Sequence, residues 1–171
     1  MLTGKVSIIT GALSGIGAAL AQLLAREDST VVLAARRTKQ LESVARAIRQ
    51  EGGTALALTA DVTNRDDAET VVERTVREFG RIDVLVNNAG RGHFASVEDT
   101  TDAILGNMFA VNVYSLWYTT RPILRHMKLQ GNGHIINVAS IAGKIGFPFN
   151  NAYVAVKYAC VGFTHALRAT S

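Results

Sequence analysis

The chain has 171 residues, 48% hydrophobic and 19% charged, which suits one domain with a full core and excludes a disordered chain. Its net charge of +4 comes from scattered basic residues, Arg36-Arg37 being the only adjacent pair, so the clustered basic face of a nucleic-acid binder is not expected. The single cysteine, Cys160, excludes a disulfide framework and suits a reducing, cytoplasmic setting, and His93, His126, His134 and His165 lack metal-ligand spacing, so no metal is expected.

Short β-rich runs alternate with helical stretches, the pattern of β-α-β units and a parallel sheet. Lys5–Thr10 is the first predicted strand and Ser14–Arg26 the first helix, with small residues on one face. The apolar run Val6–Ala25 follows Lys5 as a leader or membrane anchor would, but Thr10, Gly11, Ser14, Gly15, Gly17 and Gln22 interrupt it. A strand, a turn and a helix account for it better, so neither a targeting segment nor a membrane span is expected. Thr30–Ala35 is a second strand, and Thr38–Glu51 an amphipathic helix stopped by Gly52-Gly53. Thr54–Ala60 is a third strand; Thr63 or Asn64 caps a helix running to about Phe79. Ile82–Val86 is a fourth strand, and Thr100 to about Gln130 a long helical region that Pro122 is expected to bend or split. Gly133–Val138 is a fifth strand, and a last helix starts near Asn151. The apolar strands imply a sheet covered on both faces. With no linker or repeat, residues 1–171 read as a single domain.

Residues Thr10-Gly11-Ala12-Leu13-Ser14-Gly15-Ile16-Gly17 lie where the first strand turns into the first helix. Glycines there let backbone N–H groups and a helix N-terminus meet a phosphate; an ordinary tight turn with close helix packing would use them too. The second strand ends Ala34-Ala35-Arg36-Arg37, without the carboxylate that holds a ribose diol in NAD enzymes. Two guanidinium groups match a 2′-phosphate bidentately, which favours NADP(H) over NAD(H); a solvated basic turn is the bland alternative. Asp61 follows the third strand, where it can face a ligand or cap the next helix. Tyr153 and Lys157 stand four apart at the start of the last helix and so share a face. An ammonium near a phenol favours loss of the phenolic proton, which suits acid–base work on a carbonyl or alcohol; an unremarkable helix surface is the usual meaning of such a pair. Ser140, ending the fifth strand, can polarise a substrate oxygen or simply close a turn. His93 reads as a loop residue without a catalytic role.

The G-x-x-x-G-x-G spacing at Gly11, Gly15 and Gly17, together with Asn87-Asn88-Ala89-Gly90 and Tyr153-x-x-x-Lys157, resembles the short-chain dehydrogenase/reductase family over the whole chain. The T-G-x-x-G-x-x-G of its extended branch is absent, so the resemblance is to the single-domain branch. It implies an α/β, doubly wound, Rossmann-like parallel sheet in the order 3-2-1-4-5. It implies hydride transfer between a nicotinamide and a carbonyl or alcohol carbon, with Asn112, Ser140, Tyr153 and Lys157 as the catalytic set. Asn112 would perturb its helix and hold a water in a proton relay through Lys157; a solvent-facing amide is the alternative. Gly11, Ser14, Gly15, Ile16, Gly17, Arg36, Arg37, Asp61, Val62, Asn88, Ala89, Gly90, Tyr153 and Lys157 would bind the cofactor, Asp61 at the adenine. Ala139 stands where the family has a further serine before the catalytic one, which leaves the role of Ser140 intact. Family members continue past this point with further strands and a substrate lid, so the resemblance implies a C-terminally truncated chain with an uncovered fifth strand. Substrate contacts are then expected partly from Ile141, Ile145, Phe147, Pro148 and Phe149, or these serve packing. The resemblance further implies a homodimer through the two long helices, and leaves a catalytically silent dinucleotide-binding module as the alternative.

Overall fold

The computed structural model describes residues 2–169. Among them, β1 (Val6–Thr10), β2 (Thr30–Ala35), β3 (Ala55–Thr59), β4 (Val84–Asn87) and β5 (His134–Asn137) form one sheet in the order β3-β2-β1-β4-β5, with every neighbouring pair parallel. A parallel pair needs a crossover, and helices α1 (Gly15–Arg26), α2 (Thr38–Gln50) and α3 (Arg65–Phe79) supply the first three. The chain winds outward from β1 to β3, then returns to place β4 on the other side of β1. The order reverses between β1 and β4, and a doubly wound sheet opens its ligand crevice at that reversal.

Alternation along the strands feeds two cores. Ile9, Val31 and Leu33 pack with Leu41, Ala45 and Ile48 beneath α1 and α2. Their neighbours Ile8, Val32 and Leu85 pack on the opposite face with Val71 and Val72 of α3 and with Ile123 and Met127. The register Ser7↔Val31 and Ile9↔Leu33 keeps each set on one side, because side chains in a strand alternate faces. The expected cover on both faces fails at β5, where His134 and Ile136 are exposed. The last helix, α6 (Asn151–Arg168), packs mainly on the turn after β5 and on the segment around Asn112, and reaches that strand where Asn137 Nδ2 donates to Thr164 Oγ1 at 3.0 Å.

Apart from one-residue shifts at strand ends, two features depart from the sequence reading. The fourth strand starts at Val84 rather than Ile82, because the Gln130 side-chain amide occupies Ile82: Nε2 donates to its carbonyl at 2.9 Å and Oε1 accepts from its amide at 3.0 Å. The long helical region is split, but not by Pro122. It comprises α4 (Asp102–Phe109), a π-helical segment (Ala110–Tyr114) and α5 (Ser115–Gln130), with Pro122 inside α5. The break belongs to Asn112, whose amide donates to the Met108 carbonyl at 2.9 Å and so enters the backbone ladder itself. No helix among the described residues is long and apolar enough to cross a membrane.

Candidate active site

The glycine turn is built against the end of β4. Thr10 Oγ1 accepts the backbone N–H groups of Asn88 and Ala89, both at 3.0 Å. Asn88 Nδ2 donates back to the carbonyls of Thr10 at 3.0 Å and Gly11 at 3.2 Å. These bonds bring together segments 78 residues apart in the chain. They also explain Gly17: a β-carbon there would lie 2.5 Å from both Asn88 Nδ2 and the Gly11 carbonyl. Gly15 differs in kind. Its φ is +55° and a β-carbon would meet open space, so glycine is required there by backbone conformation rather than by close packing. The N-cap Ser14 makes no side-chain capping bond, and Ile16 is exposed.

A cavity of about 290 Å³ opens from this turn. Gly11 and Ser14 line one side, Arg36 and Arg37 the end of β2, Asp61 and Val62 the end of β3, and Asn88, Ala89 and Gly90 the floor. The structure therefore gathers nine of the expected cofactor residues around one space at the carboxyl ends of the strands. Arg36 Nη1 lies 3.8 Å from Asp61 Oδ2, and both side chains are substantially exposed. A long surface pair of this kind is worth little and yields readily to a stronger anion. Asp61 does not cap α3. Its Oδ1 accepts the Thr63 amide at 3.0 Å and hydroxyl at 2.8 Å, while Asn64 caps the helix by accepting from Asp66 and Asp67.

At the crevice mouth, Asn112 is buried, not solvent-facing, and clamps the loop after β4. It donates to the Arg91 carbonyl at 3.0 Å and accepts the Arg91 amide at 3.3 Å. A β-carbon on Gly90 would lie 3.1 Å from Asn112 Oδ1 and 3.6 Å from Lys157 Nζ, so all three residues are neighbours. Lys157 is buried, only 6% exposed, and its ammonium donates to the Val138 carbonyl at 2.9 Å. It sits 5.6 Å from the centroid of the Tyr153 ring, which places both side chains of the i,i+4 pair on one inward face. Tyr153 packs partly buried against Met108, Ala152 and Val156, and its hydroxyl makes no hydrogen bond within the described residues.

Ser140 lies two residues beyond Val138. Its hydroxyl accepts the Ala142 amide at 3.2 Å and caps the short 3₁₀ turn Ile141–Gly143, with no hydrogen bond to Tyr153. That turn packs tightly on α6: a β-carbon on Gly143 would lie 2.7 Å from the Lys157 carbonyl. Asn87 holds the floor from below. It donates to Asn137 Oδ1 at 2.9 Å and to Thr120 at 3.3 Å, and accepts from Thr119 at 2.7 Å. His93 Nε2 is buried without a hydrogen-bond partner among the described residues. Sequence reasoning missed the clamp role of Thr10 and the lining residues Leu13, Ala34, Ala35, Ala60 and Val111. A buried hydroxyl at a strand end beside glycine was a usable signal for Thr10; the apolar ones carried none. A larger opening of about 730 Å³ lies along β5, lined by Leu124, Met127 and Leu167 among others, and contains none of this chemistry.

Comparison with known proteins gives the family. Residues 5–171 match the family model of the short chain dehydrogenases. The ketoacyl reductase HetN of Nostoc sp. is 36% identical over 167 residues, covering 98% of this chain and 58% of its own length. An NAD+-bound xylitol dehydrogenase superposes with a TM-score of 0.94 at 35% identity, over 97% of this chain and 64% of that one. An alcohol dehydrogenase from the archaeon Thermococcus sibiricus, complexed with 5-hydroxy-NADP, gives 0.93 at 31% identity, over 97% of this chain and 71% of that one. The chain belongs to the short-chain dehydrogenase family. It spans less than two thirds of the length of the reductase and of the xylitol dehydrogenase.

Proposed function

We propose that this chain is an NADP(H)-dependent oxidoreductase that moves a hydride between the nicotinamide and a carbonyl or alcohol carbon, with Tyr153 as acid and base. The observation that carries it is the cluster of Tyr153, Lys157, Asn112 and Gly90, the last of which also lines the cavity that starts at the glycine turn. The names of the relatives, a ketoacyl reductase, a xylitol dehydrogenase and an alcohol dehydrogenase, support the reaction class.

The residues fit a dinucleotide. The glycine turn lies at the N-terminus of α1, with Gly11 and Ser14 lining the cavity, so amide groups there can meet a pyrophosphate. Asp61 and Val62 border the adenosine end, and Ala89 and Gly90 the approach to the mouth. Arg36 and Arg37 supply the charge for a 2′-phosphate, and among the lining residues only Asp61 is acidic, itself paired with Arg36. A bound nicotinamide supplies or accepts the hydride. The chain handles the proton: in reduction Tyr153 gives its phenolic proton to the oxygen of the carbonyl, and in oxidation it takes that proton from the hydroxyl. The positive Lys157 beside the ring stabilises the phenolate left behind, and the Val138 carbonyl holds the ammonium in place. Ser140 stands at the strand end to orient the substrate oxygen, and Asn112 fixes the loop over Lys157 and carries the relay outward. We further propose a homodimer through α5 and α6, where the half-exposed Trp117 meets Phe163 edge-on at 4.8 Å. The lone, buried Cys160 suits the reducing cytoplasm.

The test is NADPH titration by fluorescence, followed by a panel of ketones and aldehydes. We expect turnover that falls by about 10²–10⁴-fold in Tyr153→Phe while NADPH affinity stays within about twofold. Binding without turnover in the wild type would reassign these residues to a dinucleotide-binding module. Absence of NADPH binding would remove both readings.

A further inference from the structure

Asp61 is the one acidic residue lining the cavity at the glycine turn, and it stands beside one of the two arginines offered to a 2′-phosphate. Its backbone is fixed at both ends. The amide donates to Asp67 Oδ2 at 2.7 Å, and the carbonyl accepts the Asn64 amide at 2.8 Å. Only the carboxylate is left to turn. One oxygen, Oδ1, is engaged twice by Thr63, through the amide at 3.0 Å and the hydroxyl at 2.8 Å. The other, Oδ2, lies 3.8 Å from Arg36 Nη1.

That separation is unusual for such partners. A hydrogen bond between arginine and a carboxylate closes to about 2.7–2.9 Å, frequently with both oxygens engaged. Arg36 is free to approach, its side chain being 69% exposed. With Oδ1 spent on Thr63, however, Asp61 has one oxygen to offer rather than two. The Thr63 hydroxyl donates to no other group among the described residues. Asn64, not Thr63, caps α3, and Thr63 does not line the cavity.

We propose that Thr63 is a positioning residue for cofactor preference: by holding the Asp61 carboxylate back, its hydroxyl keeps the Arg36 guanidinium free for the 2′-phosphate of NADP(H). The inference rests on the NADP(H) reading and extends it to a residue outside the cavity. A released carboxylate closes on Arg36 and competes with the phosphate for the same N–H donors. NADH has no 2′-phosphate and is indifferent to that competition. The effect therefore belongs to the ratio of the two affinities.

The experiment titrates the full chain with NADPH and with NADH by nicotinamide fluorescence and takes the ratio of the two dissociation constants. Thr63→Val keeps the shape and the backbone amide bond but removes the hydroxyl. Its preference for NADPH should fall by about fivefold, chiefly through weaker NADPH binding. Thr63→Ala carries the same expectation and stands in if the valine variant does not fold. Thr63→Ser should keep the wild-type ratio. Adding Asp61→Asn to Thr63→Val should return the preference to the wild-type value or above it, because a neutral amide competes weakly for a guanidinium. An unchanged ratio in Thr63→Val would overturn the proposal. So would equal weakening of both cofactors, which would mean that Thr63 merely shapes its loop, or a ratio that stays low in the double variant. A wild type without preference for NADPH would bring down the NADP(H) reading and this one with it. A wild type that prefers NADPH, at a ratio indifferent to residue 63, would bring down this one alone.

Discussion

Asp83 shows how one carboxylate can organise the end of the sheet remote from the crevice. It is 4% exposed, just before β4, and accepts from the Val6 amide at 3.0 Å, Lys5 at 3.1 Å and both Nε and Nη2 of Arg81 at 2.7 Å. Burial works against its ionisation, but the Arg81, Val6 and Lys5 hydrogen bonds outweigh it and hold the pKa down to about 2, from an ordinary 3.8. A depressed acid stabilises the fold above its unfolded pKa and loses that contribution as pH falls toward the folded one. The depression corresponds to about 2 kcal/mol at pH 7. Asp83→Asn should lower stability by roughly that amount at pH 7 in urea denaturation, and the gap should shrink by about half at pH 3. A gap that is constant with pH would mean that shape, not charge, is what Asp83 contributes. At Cys160, burial pushes the thiol pKa up against the pull of the nearby Lys157, as suits a packing residue rather than a nucleophile.

Among the elements, the interrupted helix carries most of the site's positioning. Asn112 Nδ2 donates to two carbonyls, Met108 and Arg91, and Oδ1 accepts one amide, all around a buried side chain. Asn112→Asp preserves shape but removes both donors and points a carboxylate at two carbonyl oxygens. It should cost about 2–4 kcal/mol in urea denaturation, more than an exposed Asn would allow. The family resemblance implied that Asn112 perturbs its helix, but not how. Helix propensity drew the break to Pro122, whereas the actual break follows from a side chain bonding into the ladder, and that depends on a loop 21 residues earlier. The strands were legible to within two residues at each end because alternation is a local signal. The exposure of β5 was not legible from its composition, since Ile135 and Ile136 look like core; it was the family resemblance that implied an uncovered fifth strand.

For the molecule as a whole, the crevice exists because β1 and β4 are neighbours, so that the glycine turn, the Arg36-Arg37 pair and the Asn88-Ala89-Gly90 loop share one space. A ligand that binds only the folded state stabilises it by about 2.7 kcal/mol at one hundred times its dissociation constant. Wild-type protein should therefore melt several degrees higher with NADPH in such excess, and less so with NADH at equal concentration. Arg36→Asp combined with Arg37→Ala should abolish the NADPH shift while leaving the NADH shift largely intact. Equal loss of both shifts would refute the assignment of these arginines to a 2′-phosphate.

The order of elements, the two faces of each strand, the glycine spacing and the i,i+4 placement of Tyr153 and Lys157 were all readable from the chain, because each depends on residues a few positions apart. The family resemblance came from these local patterns. What the tertiary structure alone decided was assembly across long separations: Thr10 against Asn88, Asn112 against Arg91, Lys157 against Val138, and Ala95 against Phe149. Those contacts depend on which strands become neighbours and where helices come to rest, and no local periodicity encodes either. Hence the residue types of the candidate site were readable from the chain, while the contacts that gather them were not.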